Sequence, residues 1–250
     1  MYHSITFNRR FTTPYTKVVS KNTYTDFKLA PSSRPVIAPP ELKETYVDIP
    51  GGNGTIDLSE VVSGCPVYKD REGDIEFYVL NENYPGFQSY DTWIKRYTDI
   101  MNFLHGKSIE VVLEDDPDYY YRGRFSVDEW ASEKDYSMLT FHYVLEPFKW
   151  CSKSSLVTKP NLKDITINNT DPGVTIHLTE DDTGTAPVIP TFVLSAGMTV
   201  IFQNSIGENV TKNFIAGRIT DPDMRFTGGD TKITFKGNGV VSLDFYEGRL

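Results

Sequence analysis

Two acidic runs, four histidines and a glycine cluster are the residues of this chain whose types could do chemistry. In "LEDDPDYYY" (Leu113–Tyr121), the carboxylates of Glu114, Asp115, Asp116 and Asp118 crowd together. Carboxylates at that density can converge on a calcium ion, or act as the acid and base of glycoside hydrolysis. They also flank a proline between two strand-like runs, where solvated acids are ordinary, and that reading is favoured. The run "EDDTG" (Glu180–Gly184) reads the same way. His3, His105, His142 and His177 are scattered, without the i, i+4 pairing of zinc hydrolases. His142 alternates with apolar residues and reads as a strand-face position. No G-x-S-x-G elbow, P-loop or dinucleotide fingerprint is present.

The stretch "YVDIPGGNGTIDLSE" (Tyr46–Glu60) packs three glycines and an asparagine into Gly51–Gly54 and carries several acids. Its spacing fits neither a phosphate cradle nor a calcium loop. Thr45–Ile49 and Thr55–Leu58 alternate on either side, so the glycines are expected to turn the chain between two strands. The three consecutive tyrosines, Tyr119 to Tyr121, could line a sugar platform. Core packing or a subunit contact is favoured, because Tyr and Arg anchor interfaces and "YYYRGRF" offers several together.

Something must position these residues, and the composition points to β-structure. The chain has 250 residues, with 15 Tyr and 15 Phe, enough for one large or two ordinary cores. Its charged fraction of 24% and aromatic fraction of 13% are those of a folded chain rather than a disordered one. A formal net charge of −9 without a dense Lys/Arg run argues against duplex readout, although an acidic surface could repel DNA. Cys65 and Cys151 lie far apart and are expected to be reduced thiols rather than a disulfide framework. No apolar run approaches the ~20 residues of a membrane span, and "MYHSITFNRRF" lacks a signal-peptide core. A soluble, unsecreted chain is expected.

Period-2 patterning predicts strands at Asp74–Asn81, Ser108–Glu114, Tyr119–Trp130 and Ser137–Phe148. A proline-rich arm, Tyr24–Pro40, leads into them and cannot be helix. One helix interrupts them over about 89–105. Trp93, Tyr97, Ile100, Met101 and Leu104 form its apolar stripe, Ser89 or Asp91 its cap and Gly106 its C-terminal stop. The polar stretch Cys151–Pro160 marks a boundary, giving domains 1–152 and 153–250. Beyond it, short strands at 164–168, 174–178, 191–194, 199–203, 231–236 and 240–246 suggest a sandwich or barrel. "KGNG" (Lys236–Gly239) has the glycines of a tight hairpin between the last two.

The order of these signals carries a resemblance. A proline-rich arm is followed by "DIPGGNGTIDLSE", then "YKDREGDIEFYV", a helix ending "MNFLHGK", "VVLEDDPDYYYRGRFSV", a strand ending "LEPFKW", and a β-rich end closing on "VVSLDFYEGRL". The chain resembles the distal tail proteins of long-tailed, non-contractile bacteriophages, most clearly over residues 25–150. The resemblance implies a mainly β fold: an N-terminal split-barrel, tail-tube-like domain with one helix, and a C-terminal galectin-like β-sandwich. It implies a homo-hexameric ring in the virion tail tip, made in the host cytoplasm. The ring would join the tail tube protein to the hub or baseplate, with tape measure and receptor-binding proteins as further neighbours. DNA would pass through the bore without sequence-specific binding.

Family motifs fall on Ile49, Pro50, Gly51, Gly54, Asp57 and Leu58, and on His105, Gly106, Asp116, Pro117, Tyr119, Tyr121, Gly123 and Arg124. The resemblance implies that these hold the ring-forming domain in shape or touch a neighbour. It implies no catalytic residue, metal, cofactor or membrane insertion. The alternative is a carbohydrate-binding module on the C-terminal sandwich. Against it, no Trp follows Trp150, and the chain beyond Leu162 leaves no room for an inserted sugar-binding module.

Overall fold

The computed structural model describes residues 3–11, 17–61, 63–80, 93–132, 137–168, 173–204, 207–226 and 231–250. It is mainly β, and it groups into two compact units, neither of which is contiguous in sequence. One comprises 1–41 and 69–149, the other 42–68 and 150–250.

The first unit contains β1 (Ile5–Phe11), β2 (Lys17–Asn22) and β3 (Leu29–Pro31). The chain then passes through β4 (Tyr46–Asp48) and β5 (Thr55–Asp57), which belong to the second unit. It returns as β6 (Arg71–Val79), α1 (Trp93–Leu104), β7 (Lys107–Leu113), β8 (Tyr119–Ser132) and β9 (Ser137–Leu145). The strands lie in the order β2-β1-β7-β8-β9-β6-β3. Alternation places Ile5 and Phe7, Ile109 and Val111, Phe125, and Leu139, Phe141, Tyr143 and Leu145 on one face, all buried.

That sheet is strongly coiled. Two strands separate β1 from β9, which at about 4.8 Å per step puts them roughly 14 Å apart in a flat sheet. Yet Phe7 and Phe141 meet with ring centroids 6.4 Å apart. Edge contacts of Phe7 with Phe125 and of Phe77 with Phe141 continue the same aromatic core. Ile100, Phe103 and Leu104 of α1 close it, and Gly106 ends the helix with φ +67, as its glycine predicts. The side chain of Trp93 and the caps proposed at Ser89 and Asp91 lie outside the described residues. The proline-rich stretch is extended but not free: Phe27, Leu29 and Ile37 are buried in this core.

In the second unit, β4 and β5 are followed by β10 (Lys149–Cys151, its last two residues), the short α2 (Ser155–Thr158), β11 (Ile165–Ile167), β12 (Val174–Leu178) and α3 (Glu180–Thr183). They are followed by β13 (Thr191–Leu194), β14 (Met198–Gln203), β15 (Asn209–Phe214), β16 (Gly217–Thr220), β17 (Thr231–Lys236), β18 (Gly239–Asp244) and β19 (Gly248–Arg249). Two four-stranded sheets, β11-β18-β13-β16 and β12-β17-β14-β15, face each other across one core. Phe192 of the first packs on Phe235 and Phe214 of the second. This is a β-sandwich.

One expected hairpin is corrected. Gly237 and Gly239 do take positive φ, +139 and +150, but β17 and β18 do not pair. They belong to opposite sheets, so "KGNG" carries the chain across the sandwich. A Cβ at Gly239 would lie 2.7 Å from Ser195 Oγ, so close packing as well as backbone angle calls for glycine there.

Candidate functional site

The two motif groups occupy different kinds of environment. The first forms the exposed β4–β5 hairpin. Tyr46 pairs with Asp57, Val47 with Ile56 and Asp48 with Thr55. At the tip, the Gly52 N–H donates to the Ile49 carbonyl at 3.0 Å, and Gly51 and Gly54 take φ +75 and +86. A Cβ on either would meet nothing within 4 Å, so here glycine is required by backbone angle alone. Pro50 enters the same tip. At the base, the Leu58 N–H donates to the Thr45 carbonyl and the Thr45 N–H to Ser59 Oγ. The Ser59 hydroxyl and N–H in turn hold the Asp57 carboxyl below its ordinary range.

The hairpin is amphipathic. Val47 and Ile56 oppose each other on one face, and by alternation Ile49 and Leu58 extend that face at either end. All four stand in solvent, at 46%, 51%, 40% and 38% exposure. The other face carries Glu44, Tyr46, Asp48 and Asp57. Among the described residues β4 and β5 pair only with each other. The aliphatic face was not recognised from sequence; reading Val47, Ile49, Ile56 and Leu58 across the turn rather than along it would have shown it.

The second motif group works inside the first unit. The Gly106 N–H donates to the Phe125 carbonyl, Arg124 Nη1 donates to the Gly106 carbonyl at 2.6 Å, and the Val127 N–H donates to His105 Nδ1. The end of α1 is thereby stapled to β8. Gly123 is required by contact: a Cβ there would lie 2.2 Å from the Val144 carbonyl oxygen. Pro117 sits in a turn closed by the Tyr119 N–H and the Asp116 carbonyl. Asp116 takes Lys149 Nζ at 2.7 Å, and that ammonium also lies 5.0 Å from the Tyr119 ring centre.

The acidic turn holds the chain's own cations and donors rather than an open site. Glu114 accepts from the Ser4 N–H at 2.6 Å and from its hydroxyl, and these bonds lower its pKa. Asp115 takes Arg34 at 2.8 Å and His3 at 2.9 Å; the Arg34 bond is the largest cause of its lowered pKa. The second run, Glu180–Gly184, forms α3 with a capping box between Thr179 and Asp182. Among the described residues no group of three His, Cys, Asp or Glu is placed to hold a metal. Cys65 and Cys151 are both free and buried. No described helix is long and apolar enough to cross a membrane.

The tyrosines are engaged by cations on alternating faces. Arg122 lies over Tyr120, and Arg71 over Tyr121 at 5.4 Å. The sequence marks Arg71 only as the arginine of "YKDREGDIEFYV" and gives it no role. It is 4% exposed, donates from Nε to the Pro147 carbonyl and from Nη1 to the Ala38 carbonyl, and leaves Nη2 without a hydrogen bond. Burial pulls its pKa down. Nothing in "YKDREGD" distinguishes it from a surface arginine.

An all-β chain of two units, with a coiled sheet closed by one helix in the first and a sandwich in the second, is the class these features define. No family model and no curated protein sequence matches the chain. Among solved structures it is similar to the SPP1 Dit (gp 19.1) protein, described as a paradigm of the hub adsorption apparatus in Gram-positive infecting phages. The TM-score is 0.57 at 14% identity, over 90% of this chain and 96% of that one. The chain has the fold of that phage distal tail hub protein.

Proposed function

We propose that the chain is a structural component of a bacteriophage tail tip: a distal tail protein that assembles as a six-membered ring between the tail tube and the hub. The observation that supports this is the length of the fold likeness, which runs through nearly all of both chains rather than through one common β-domain. The hairpin agrees with it. An isolated two-stranded ribbon with four exposed aliphatics on one face is marginal in water, and a neighbour covering that face would stabilise it. The acidic turn agrees too, since Glu114 and Asp115 serve to hold β1 and Arg34 in place.

In this role the protein carries no catalysis. It positions neighbours and surrounds the passage for DNA, with a net charge of −9 that disfavours adhesion of the phosphate backbone. The deciding experiment is negative-stain microscopy of the purified chain, alone and with tail tube and hub proteins. Six-fold rings with a central hole are expected. A chain that stays monomeric at every concentration and never joins tails would sink the reading.

A further inference from the structure

The dipeptide Asn-Gly occurs twice in this chain, as Asn53–Gly54 and as Asn238–Gly239. It is prone to a reaction that needs no enzyme, because glycine leaves the backbone nitrogen after the asparagine unshielded. That nitrogen, on losing its proton to hydroxide, attacks the carbonyl carbon of the asparagine side chain. A C–N bond forms, the bond to Nδ2 breaks, and ammonia leaves. Water then opens the five-membered imide at either carbonyl, giving aspartate or isoaspartate. The ring closes only where the backbone can rotate to bring nitrogen and carbon together, so the fold decides which copy reacts.

The two copies differ in that freedom. Asn53 stands exposed at the tip of the β4–β5 hairpin, in the loop beyond the last strand pair, Asp48 with Thr55. The Gly52 N–H donates to the Ile49 carbonyl there, and the Ile49 N–H reaches the Gly54 carbonyl only at 3.5 Å. Among the described residues, neither the Asn53 side chain nor the Gly54 N–H makes a hydrogen bond. Asn238 is exposed as well, but its neighbours are clamped. Gly239 opens β18 opposite Ile167, and a Cβ on it would lie 2.8 Å from Met198 Cε as well as against Ser195. A Cβ on Gly237 would lie 3.2 Å from the Gly197 carbonyl oxygen. The Val240 N–H donates to Ser195 Oγ at 2.7 Å, and the Val240 carbonyl accepts from the Ser195 N–H.

We propose that Asn53 is a site of spontaneous deamidation and isoaspartate formation, and that packing spares Asn238. Each conversion adds a carboxylate to a segment, residues 44–68, that already has Glu44, Asp48, Asp57 and Glu60 and no Lys or Arg. The isoaspartate product also routes the backbone through the side-chain carbon, which lengthens the loop by a methylene. The pairing of Asp48 with Thr55 should loosen as the protein ages. Both cores should be untouched, since neither contains a hairpin residue. The site stands whether or not the chain forms a ring.

The test is incubation of the full chain at mildly alkaline pH, with timed samples digested by trypsin and weighed by mass spectrometry against an unincubated control. Cleavage after Lys43 and Lys69 releases 44–69, in which Asn53 is the sole side-chain amide. Cleavage after Lys236 and Arg249 releases 237–249, in which Asn238 is the sole one. In the native chain Asn53 should convert faster than Asn238 by about tenfold or more, because Asn238 must first open a packed turn. Enzymatic carboxyl methylation of 44–69 should reveal isoaspartate. In urea the two rates should converge, since the dipeptide is the same. Gly54→Ala puts a methyl beside the attacking nitrogen and should leave Asn53 mostly unconverted over the same period, with Asn238 unaffected. Equal native rates, or a faster Asn238, would overturn the proposal. Conversion of Asn53 at the wild-type rate in the Gly54→Ala variant would overturn attack by the Gly54 nitrogen.

Discussion

Trp130 stacks on Tyr97 of α1 with ring centroids 4.8 Å apart, and it reaches that ring because β8 carries one residue more than its partner. Val127 pairs with Phe141 and Glu129 with Thr140, so Asp128 is extra. Before the bulge, Phe125 and Val127 face the core; without it Trp130 would emerge on the opposite face. The sequence predicts both partners but not their meeting, since a bulge leaves no mark in a period-2 pattern.

Deleting Asp128 should therefore detach the helix from β8. In a background where Trp93 and Trp150 are Phe, Trp130 emission should shift to the red, and the unit should lose about 2 kcal/mol from the slipped register and the lost ring pair. Asp128→Ala keeps the bulge and should change stability by no more than about 0.5 kcal/mol. Equal effects of the two changes would refute the bulge's role.

Gly123→Ala should be among the most damaging small substitutions in the first unit. The added methyl meets backbone, the Val144 oxygen at 2.2 Å and the Leu145 Cα at 2.7 Å, neither of which can rotate away. A cost of about 3 kcal/mol is expected, read as a drop of about 10 °C in the melting of this unit. Gly54→Ala makes the contrast: open space surrounds it, so about 1 kcal/mol of backbone strain should appear as faster amide exchange in the hairpin alone.

Acid should loosen the start of β1. The Glu114 carboxyl is held below its ordinary value by the Ser4 N–H and hydroxyl, and Asp115 by Arg34 and then His3. A depressed folded-state pKa gives stability that is complete above the unfolded carboxylate value, about 4, and is lost as pH falls through the lower folded one. Protection of the Ser4 amide, measured against its intrinsic exchange rate, should fall below about pH 4. Glu114→Ala should show that low protection already at pH 7. A Ser4 protection factor that stays constant through this pH range in the wild type would contradict the assignment.

Arg71→Met tests whether the buried guanidinium is structural. The substitution removes the donors to Pro147 and Ala38 and leaves two carbonyls without that donor, while relieving the burial of a charge that has no carboxylate partner among the described residues. The carbonyls should win, for a net loss of about 2 kcal/mol by denaturant unfolding. A neutral or stabilising outcome would mean that desolvation of the charge dominates.

The strands that came through clearly in sequence are those with one buried face. Ile109 and Val111, and Leu139 to Leu145, alternate because a core lies on one side only. The strands that did not are edges or near-edges. β1 and β2, in "ITFNRRF" and "KVVSKN", and β15, in "NVTKNF", carry polar residues on both faces, because an edge faces water along its flank, and β16, "GRIT", is too short to show a period. The glycine turn was legible as a turn from Gly51 to Gly54. Its amphipathic character was not, because Val47 and Ile56 become neighbours only once the hairpin closes. The partners of the acidic turn were equally hidden, since His3, Ser4 and Arg34 reach it from more than 80 residues away.

The pairing of β1 with β7 sets an order on biosynthesis. Ile5 finds Leu113, and Ser4 finds Glu114, only after the ribosome has added another hundred residues. Until then the β1–β2 hairpin waits with both flanks unpaired and Phe7 without its aromatic neighbours. Such long-range closure is slow, and the waiting species is the one most exposed to wrong partners. Crowded synthesis of many copies should therefore strain folding at the amino-terminal hairpin first, and co-produced chaperones should raise the yield of soluble chain more than any change to the carboxy-terminal sandwich.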